Sequence, residues 1–169
     1  MRAALAFATI TLAAAAVLAA DPPQKPGLGD VTLADSTGQG FMLKDVLGKS
    51  TVLNFWAAWC GPCRQELPEL QKLSNELGGK GLVVLAIAVD TPKMQVKPFM
   101  ERMGLSLPVY FMDAQTQAML GVSQIPLSVL LDRDGSVVQV YSGYAPAYME
   151  DIRSRVVKAL ADRPKGGKS

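Results

Sequence analysis

Cys60 and Cys63 are the only two cysteines of the chain, separated by Gly61 and Pro62 in the stretch NFWAAWCGPCRQELPEL (residues 54–70), with both tryptophans, Trp56 and Trp59, just ahead of them. Two thiols at this spacing can staple a fold, hold a metal or exchange electrons. Zinc normally takes four ligands, and the chain has two Cys and no His, which excludes a closed site within the chain. The missing His also removes the imidazole base of Ser and Cys triads. Copper(I) tolerates two thiolates, so a copper carrier stays open at this point. A staple here encloses too few residues to constrain the unfolded chain much. Redox exchange suits the spacing better. The pair closes without moving the backbone, and at a helix N-terminus the free N–H groups and the helix dipole stabilise the Cys60 thiolate. Pro62 fits the first turn of such a helix.

The elements around the pair must supply that terminus. TVLNFWA (51–57) and LVVLAIAV (82–89) are near-continuous apolar runs, the pattern of strands buried on both faces of a parallel sheet. The first strand is expected to end at Trp59. Between the two runs, Leu67, Leu70, Leu73 and Leu77 recur at helical spacing and Gly78 stands where a C-cap would, completing a β-α-β unit. Pro68 falls inside this helix and predicts a kink about one turn before it. Val96, Phe99, Met100 and Met103 predict a second helix whose start Pro98 blurs, followed by a strand at LPVYFM (107–112). LSVLL, DRDG and SVVQVY (127–141) read as a hairpin that makes the sheet mixed. A last helix fits 146–161, with Pro146 in its first turn and Met149, Ile152, Val156 and Leu160 on one apolar face.

The chain's 169 residues, 49% of them hydrophobic, suit one domain with a single sizeable core. Residues 1–20, MRAALAFATITLAAAAVLAA, place Arg2 before an uncharged run that ends in small residues. This predicts a secretory signal peptide or, uncleaved, an N-terminal membrane anchor. Residues 21–29 read as a flexible lead-in, 30–162 as the folded domain and 163–169 as a disordered tail. With 17 basic and 15 acidic side chains and no long run of one sign, charge gives no reason to propose nucleic acid as a partner.

FWAAWCGPC between a buried strand and a helix resembles thioredoxin, and Pro68 matches the proline of the active-site helix in that superfamily. GFMLKDVLGKSTVLNFWAAWCGPCRQELPEL, VVLAIAVD, LPVYFMD and VSQIPLSVLLDRDG together resemble the TlpA/ResA-type thioredoxin-like proteins of bacterial exported space. That resemblance covers roughly residues 28–160. It implies an α/β thioredoxin fold: a central mixed β-sheet flanked by helices, with an N-terminal extension and a central insertion. It also implies an exported, periplasmic thiol:disulfide oxidoreductase that needs no cofactor and holds no metal.

Within this resemblance Cys60 is the nucleophile and Cys63 the resolving thiol, linked as a disulfide in the oxidised state. Trp59, Gly61, Pro62, Ile125 and Pro126 line the substrate site, and Pro126 matches the family's cis-proline. Two threonines usually follow that proline, whereas Leu127 and Ser128 stand here. Asn54 occupies the position of thioredoxin's buried aspartate. Glu66 matches a glutamate near the active site of many relatives and either accepts the Cys63 proton or is a solvated surface residue. Arg64 reads as a solvated surface residue. The Gly61-Pro62 dipeptide resembles reducing thioredoxins and implies a reductant. Its substrates would include apocytochrome c or copper-handling proteins, and its electron donor a membrane protein of the DsbD or CcdA type. The alternatives are a thiol oxidase or isomerase of the same fold, and a non-catalytic copper(I) carrier. The peroxiredoxin pattern, a threonine three residues before the cysteine, is absent.

Overall fold

The computed structural model describes residues 28–162. The expected export segment (1–20) and tail (163–169) lie outside the described residues, as does the lead-in up to residue 27. A 3-10 turn at Leu28–Asp30 opens the described chain.

Seven strands form one sheet: β1 (Thr32–Ala34), β2 (Gly40–Met42), β3 (Ser50–Trp56), β4 (Leu82–Ala88), β5 (Val109–Phe111), β6 (Leu127–Asp132) and β7 (Val137–Ser142), in the order β2-β1-β5-β4-β3-β6-β7. Four helices join them: α1 (Gly61–Leu77), α2 (Lys93–Arg102), α3 (Ala114–Met119) and α4 (Pro146–Ala161). β3, β4 and β5 run parallel, whereas β6 and β7 run antiparallel beside β3 and the β1–β2 hairpin runs antiparallel beside β5. The sheet is therefore mixed, as the hairpin at 127–141 predicts. The β-α-β unit is β3-α1-β4, and the last helix occupies the predicted residues.

β3 is buried at every position, and its alternation divides the core. Val52 and Trp56 face a cluster with Leu67, Leu70, Leu73 and Leu77 of α1 and Ile152 and Val156 of α4. Leu53 and Phe55 face a second cluster with Leu33, Leu43, Leu85, Ile87, Val129 and Leu131. Apolar side chains on both faces explain why β3 and β4 read as continuous runs rather than alternating ones. Asn54 shares the α1 side with Val52 and Trp56.

Three local details differ from expectation. β3 ends at Trp56, three residues earlier than Trp59, because the chain must turn before Cys60 can begin α1. α1 continues unbroken past Pro68. Gly78 follows α1 but stays right-handed; the left-handed residue that ends the segment is Gly81, with φ of +113°, after a 3-10 turn at Gly78–Lys80. Between α2 and β6 the chain adds β5 and α3, and β5 meets β1 through Ala34 opposite Phe111.

Candidate active site

Cys60 sits at the N-cap of α1 in extended conformation, with Pro62 in the first turn. Its Sγ accepts the N–H of Cys63 at 3.2 Å, so one of the free donors of the helix terminus points at this sulfur. Cys60 and Cys63 form a disulfide with Cα atoms 5.3 Å apart. Cys63 is completely buried, whereas Cys60 keeps 4% of its surface. A sulfur arriving from outside therefore reaches Cys60 first.

The loop that presents the pair is fastened to the end of β4. Val89 N–H donates to Trp56 O at 2.9 Å, and Ala58 N–H donates to Thr91 Oγ1 at 3.1 Å. Trp59 Nε1 donates to Asp90 O at 3.3 Å, where Asp90 takes a positive φ of 46°. Arg64 donates from Nε and Nη2 to Ala58 O at 3.2 and 2.9 Å and lies 5.9 Å from the Phe99 ring centroid. It is exposed yet braces the loop rather than standing free in solvent.

Beneath the pair lies a buried polar cluster. The β3–β6 register sets Asn54 opposite Ser128, both fully buried, and α1 brings Glu66 over them. Asn54 Nδ2 donates to Glu66 Oε2 and to Ser128 Oγ, each at 2.9 Å, and Ser128 Oγ donates to Glu66 Oε1 at 2.8 Å. Glu66 is thus a core carboxylate, 1% exposed, one helical turn after Cys63. Burial pushes its carboxyl above the ordinary value of 4.5, the bonds from Ser128 and Asn54 pull it back, and the Glu69 charge adds to the rise. A carboxylate so placed can take a proton near neutral pH more readily than a solvated one.

Around the cysteines, Gly61 and Pro62 are exposed, with open space where a Gly61 side chain would stand. Trp59 is 64% exposed while Trp56 is buried and stacked on Phe99, their centroids 4.9 Å apart. The Ile125–Pro126 peptide is cis. Because β6 runs antiparallel to β3, with Leu127 opposite Phe55, Pro126 lies at the end of the sheet from which Cys60 emerges. Ile125 packs against the apolar cluster that contains Cys60 and Cys63.

The family model described as AhpC/TSA matches residues 27–158. The chain belongs to the AhpC/TSA family. This AhpC/TSA chain is 37% identical over 129 residues to a thiol-disulfide oxidoreductase ResA of Geobacillus thermodenitrificans, spanning 75% of the chain and 72% of that relative. It is 32% identical over 135 residues to ResA of Halalkalibacterium halodurans, spanning 76% and 74%. Among solved structures, a thiol:disulfide interchange protein of the thioredoxin family from Chlorobium tepidum superposes with a TM-score of 0.66 at 28% identity, covering 84% of the chain and all of its counterpart. The AhpC/TSA chain is a thiol:disulfide oxidoreductase of thioredoxin fold acting on protein disulfides. Sequence reasoning did not find Thr91, which belongs to a loop without a motif, or Ser128 as a partner of Glu66. The signal for Ser128 is the β3–β6 register, which no local pattern encodes.

Proposed function

We propose that this oxidoreductase is exported and works mainly as a reductant, with Cys60 as nucleophile, Cys63 as resolving thiol and Glu66 as proton acceptor. The observation that carries this reading is the division between the two sulfurs: Cys60 keeps some surface and accepts a helix-terminal N–H, whereas Cys63 is fully buried, one helical turn before a buried carboxylate. In the reduced enzyme the Cys60 thiolate attacks a substrate disulfide, forming one S–S bond and expelling one substrate thiolate. The Cys63 S–H proton passes to Glu66. The Cys63 thiolate then attacks Cys60 Sγ, the bond to substrate breaks, and the second substrate thiolate leaves. The enzyme ends as the Cys60–Cys63 disulfide and the substrate has gained two electrons.

Trp59, Gly61, Pro62, Ile125 and Pro126 form the substrate-facing rim in this reading, and the exposed indole beside Cys60 supports it. Export rests on residues 1–20, as a cleaved signal or a retained anchor; no helix among the described residues is long and apolar enough to cross a membrane. An exported reductant needs re-reduction, for which a membrane donor of the DsbD or CcdA type is the candidate. Apocytochrome c and copper-handling proteins are the candidate substrates. Residues 30–162 act as the catalytic domain between the export segment and a C-terminal tail. The reducing direction is supported by the Gly61-Pro62 dipeptide. Its test is the reduction potential against a glutathione buffer: a value near the roughly −270 mV of thioredoxin is expected, and one near about −120 mV would make the protein an oxidase.

A further inference from the structure

The cluster one helical turn beyond Cys63 turns neutral donors toward both oxygens of Glu66. Asn54 Nδ2 carries two hydrogens and Ser128 Oγ one, and these three are placed in three contacts, on Glu66 Oε2, Ser128 Oγ and Glu66 Oε1. Both Glu66 oxygens accept in these contacts, one from each neutral partner. A proton on either oxygen takes up a lone pair and weakens that oxygen as an acceptor, so the two donors favour the ionised form. Turning the Asn54 amide over would take its donor away from Glu66. Asn54 Oδ1 is buried without a partner, and the flip would put two N–H groups into that unpartnered place.

No ion pair among the described residues includes Glu66. Its charge is therefore supported by the neutral donors Asn54 and Ser128, and opposed by burial and by Glu69 on the next turn of α1. The other titratable groups near it are Cys63 on its own helix and Tyr144, whose hydroxyl donates to Glu69 Oε1 at 2.9 Å. None of these supplies a positive charge.

We infer that Asn54 and Ser128 are positioning residues that hold Glu66 ionised and aimed, so that it meets the Cys63 thiol as an acceptor. This rests on the proton-acceptor role given to Glu66 above. In the step concerned, the Cys63 S–H bond breaks, an O–H bond forms on Glu66 and Cys63 becomes a thiolate; no electrons are exchanged. An aspartate at position 54 would place a second carboxylate in the cluster instead of two donors. Asparagine keeps the position polar while leaving Glu66 the only carboxylate in the contact set.

The test is a titration of the Glu66 carboxyl by its 13C shift in the oxidised full-length protein, assigned by its loss in Glu66→Gln. Ser128→Ala removes one donor and is expected to raise the midpoint by about one pH unit, and Ser128→Thr, which keeps the hydroxyl, to restore at least half of that rise. Asn54→Ala, a second variant that leaves Ser128 in place, is expected to shift it in the same direction. Midpoints unchanged in both alanine variants overturn the inference, as does a rise that Ser128→Thr fails to reverse. A second readout is the pH profile of substrate release from a preformed mixed disulfide on Cys60, whose acid limb should move up with the midpoint. If the midpoint moves and this profile stays, positioning stands and the proton-acceptor role of Glu66 falls.

Discussion

In the proposed cycle Glu66 takes the proton of the second cysteine. Its carboxyl is held above the ordinary glutamate value by burial, so it fills with a proton earlier than a solvated glutamate as pH falls. Resolution by Cys63 is therefore expected to slow on the acid side with a midpoint above 4.5, read by stopped-flow release of substrate from the mixed disulfide. Glu66→Gln is expected to slow that release by about 100-fold at neutral pH and to abolish the acid limb. Trp59 behaves differently. With 64% of its surface exposed, Trp59→Ala should leave stability within about 0.5 kcal/mol while raising KM for a protein disulfide, checked by thermal unfolding and steady-state kinetics. The burial of Glu66 was not read from the sequence, although its place on the 63, 66, 70, 73, 77 line of the α1 stripe was legible there. Its partner Ser128 was not, because that contact depends on which residue of β6 stands opposite Asn54.

At the scale of elements, the long and periodic ones were readable and the short ones were not. β3, β4, α1 and α4 carry enough apolar positions to declare their period, whereas β1, β2 and β5 have three residues each and α3 has six, fewer than two turns. β1 and β2 are strands because they pair with each other and β1 pairs with β5, a nonlocal fact. What sets β3 in place is a close approach of backbones: a Cβ on Gly48 would lie 2.5 Å from Gly81 O and 3.0 Å from Ser50 O. Gly48→Ala is expected to lower stability by about 1–3 kcal/mol in urea unfolding, since backbone atoms cannot step aside. α4 is anchored by Ile152, fully buried against the α1 side of the sheet; Ile152→Ala should cost about 2–5 kcal/mol by the same measurement. α4 also holds β7 through Tyr141, whose hydroxyl donates to Asp151 Oδ2 at 2.7 Å. Burial, with that bond second, pushes Tyr141 up to about 12 from 10.0. Between those values the unfolded chain loses the phenol proton and the folded chain keeps it, so stability falls as pH rises through this window. Denaturation midpoints compared at pH 9 and pH 11 should show the loss, and Tyr141→Phe should reduce it.

Across the whole molecule, two apolar clusters on opposite faces clamp one mixed sheet, and the reactive pair sits at the sheet end where β3 runs into α1. The structure thus separates tasks. A rigid strand and helix fix Cys63 and Glu66 inside, while the loop from Ala57 to Cys60, tied to Thr91 and Asp90, turns Trp59 outward and leaves a small part of Cys60 at the surface. The central claim is that Cys60 attacks and Cys63 resolves. It is tested most directly by reducing the Cys63→Ser variant, mixing it with a disulfide-bonded protein substrate and resolving the products by nonreducing mass spectrometry. The account predicts a stable mixed disulfide through Cys60 that is absent from the Cys60→Ser variant; an adduct formed through Cys63 in Cys60→Ser at equal or greater yield would contradict it.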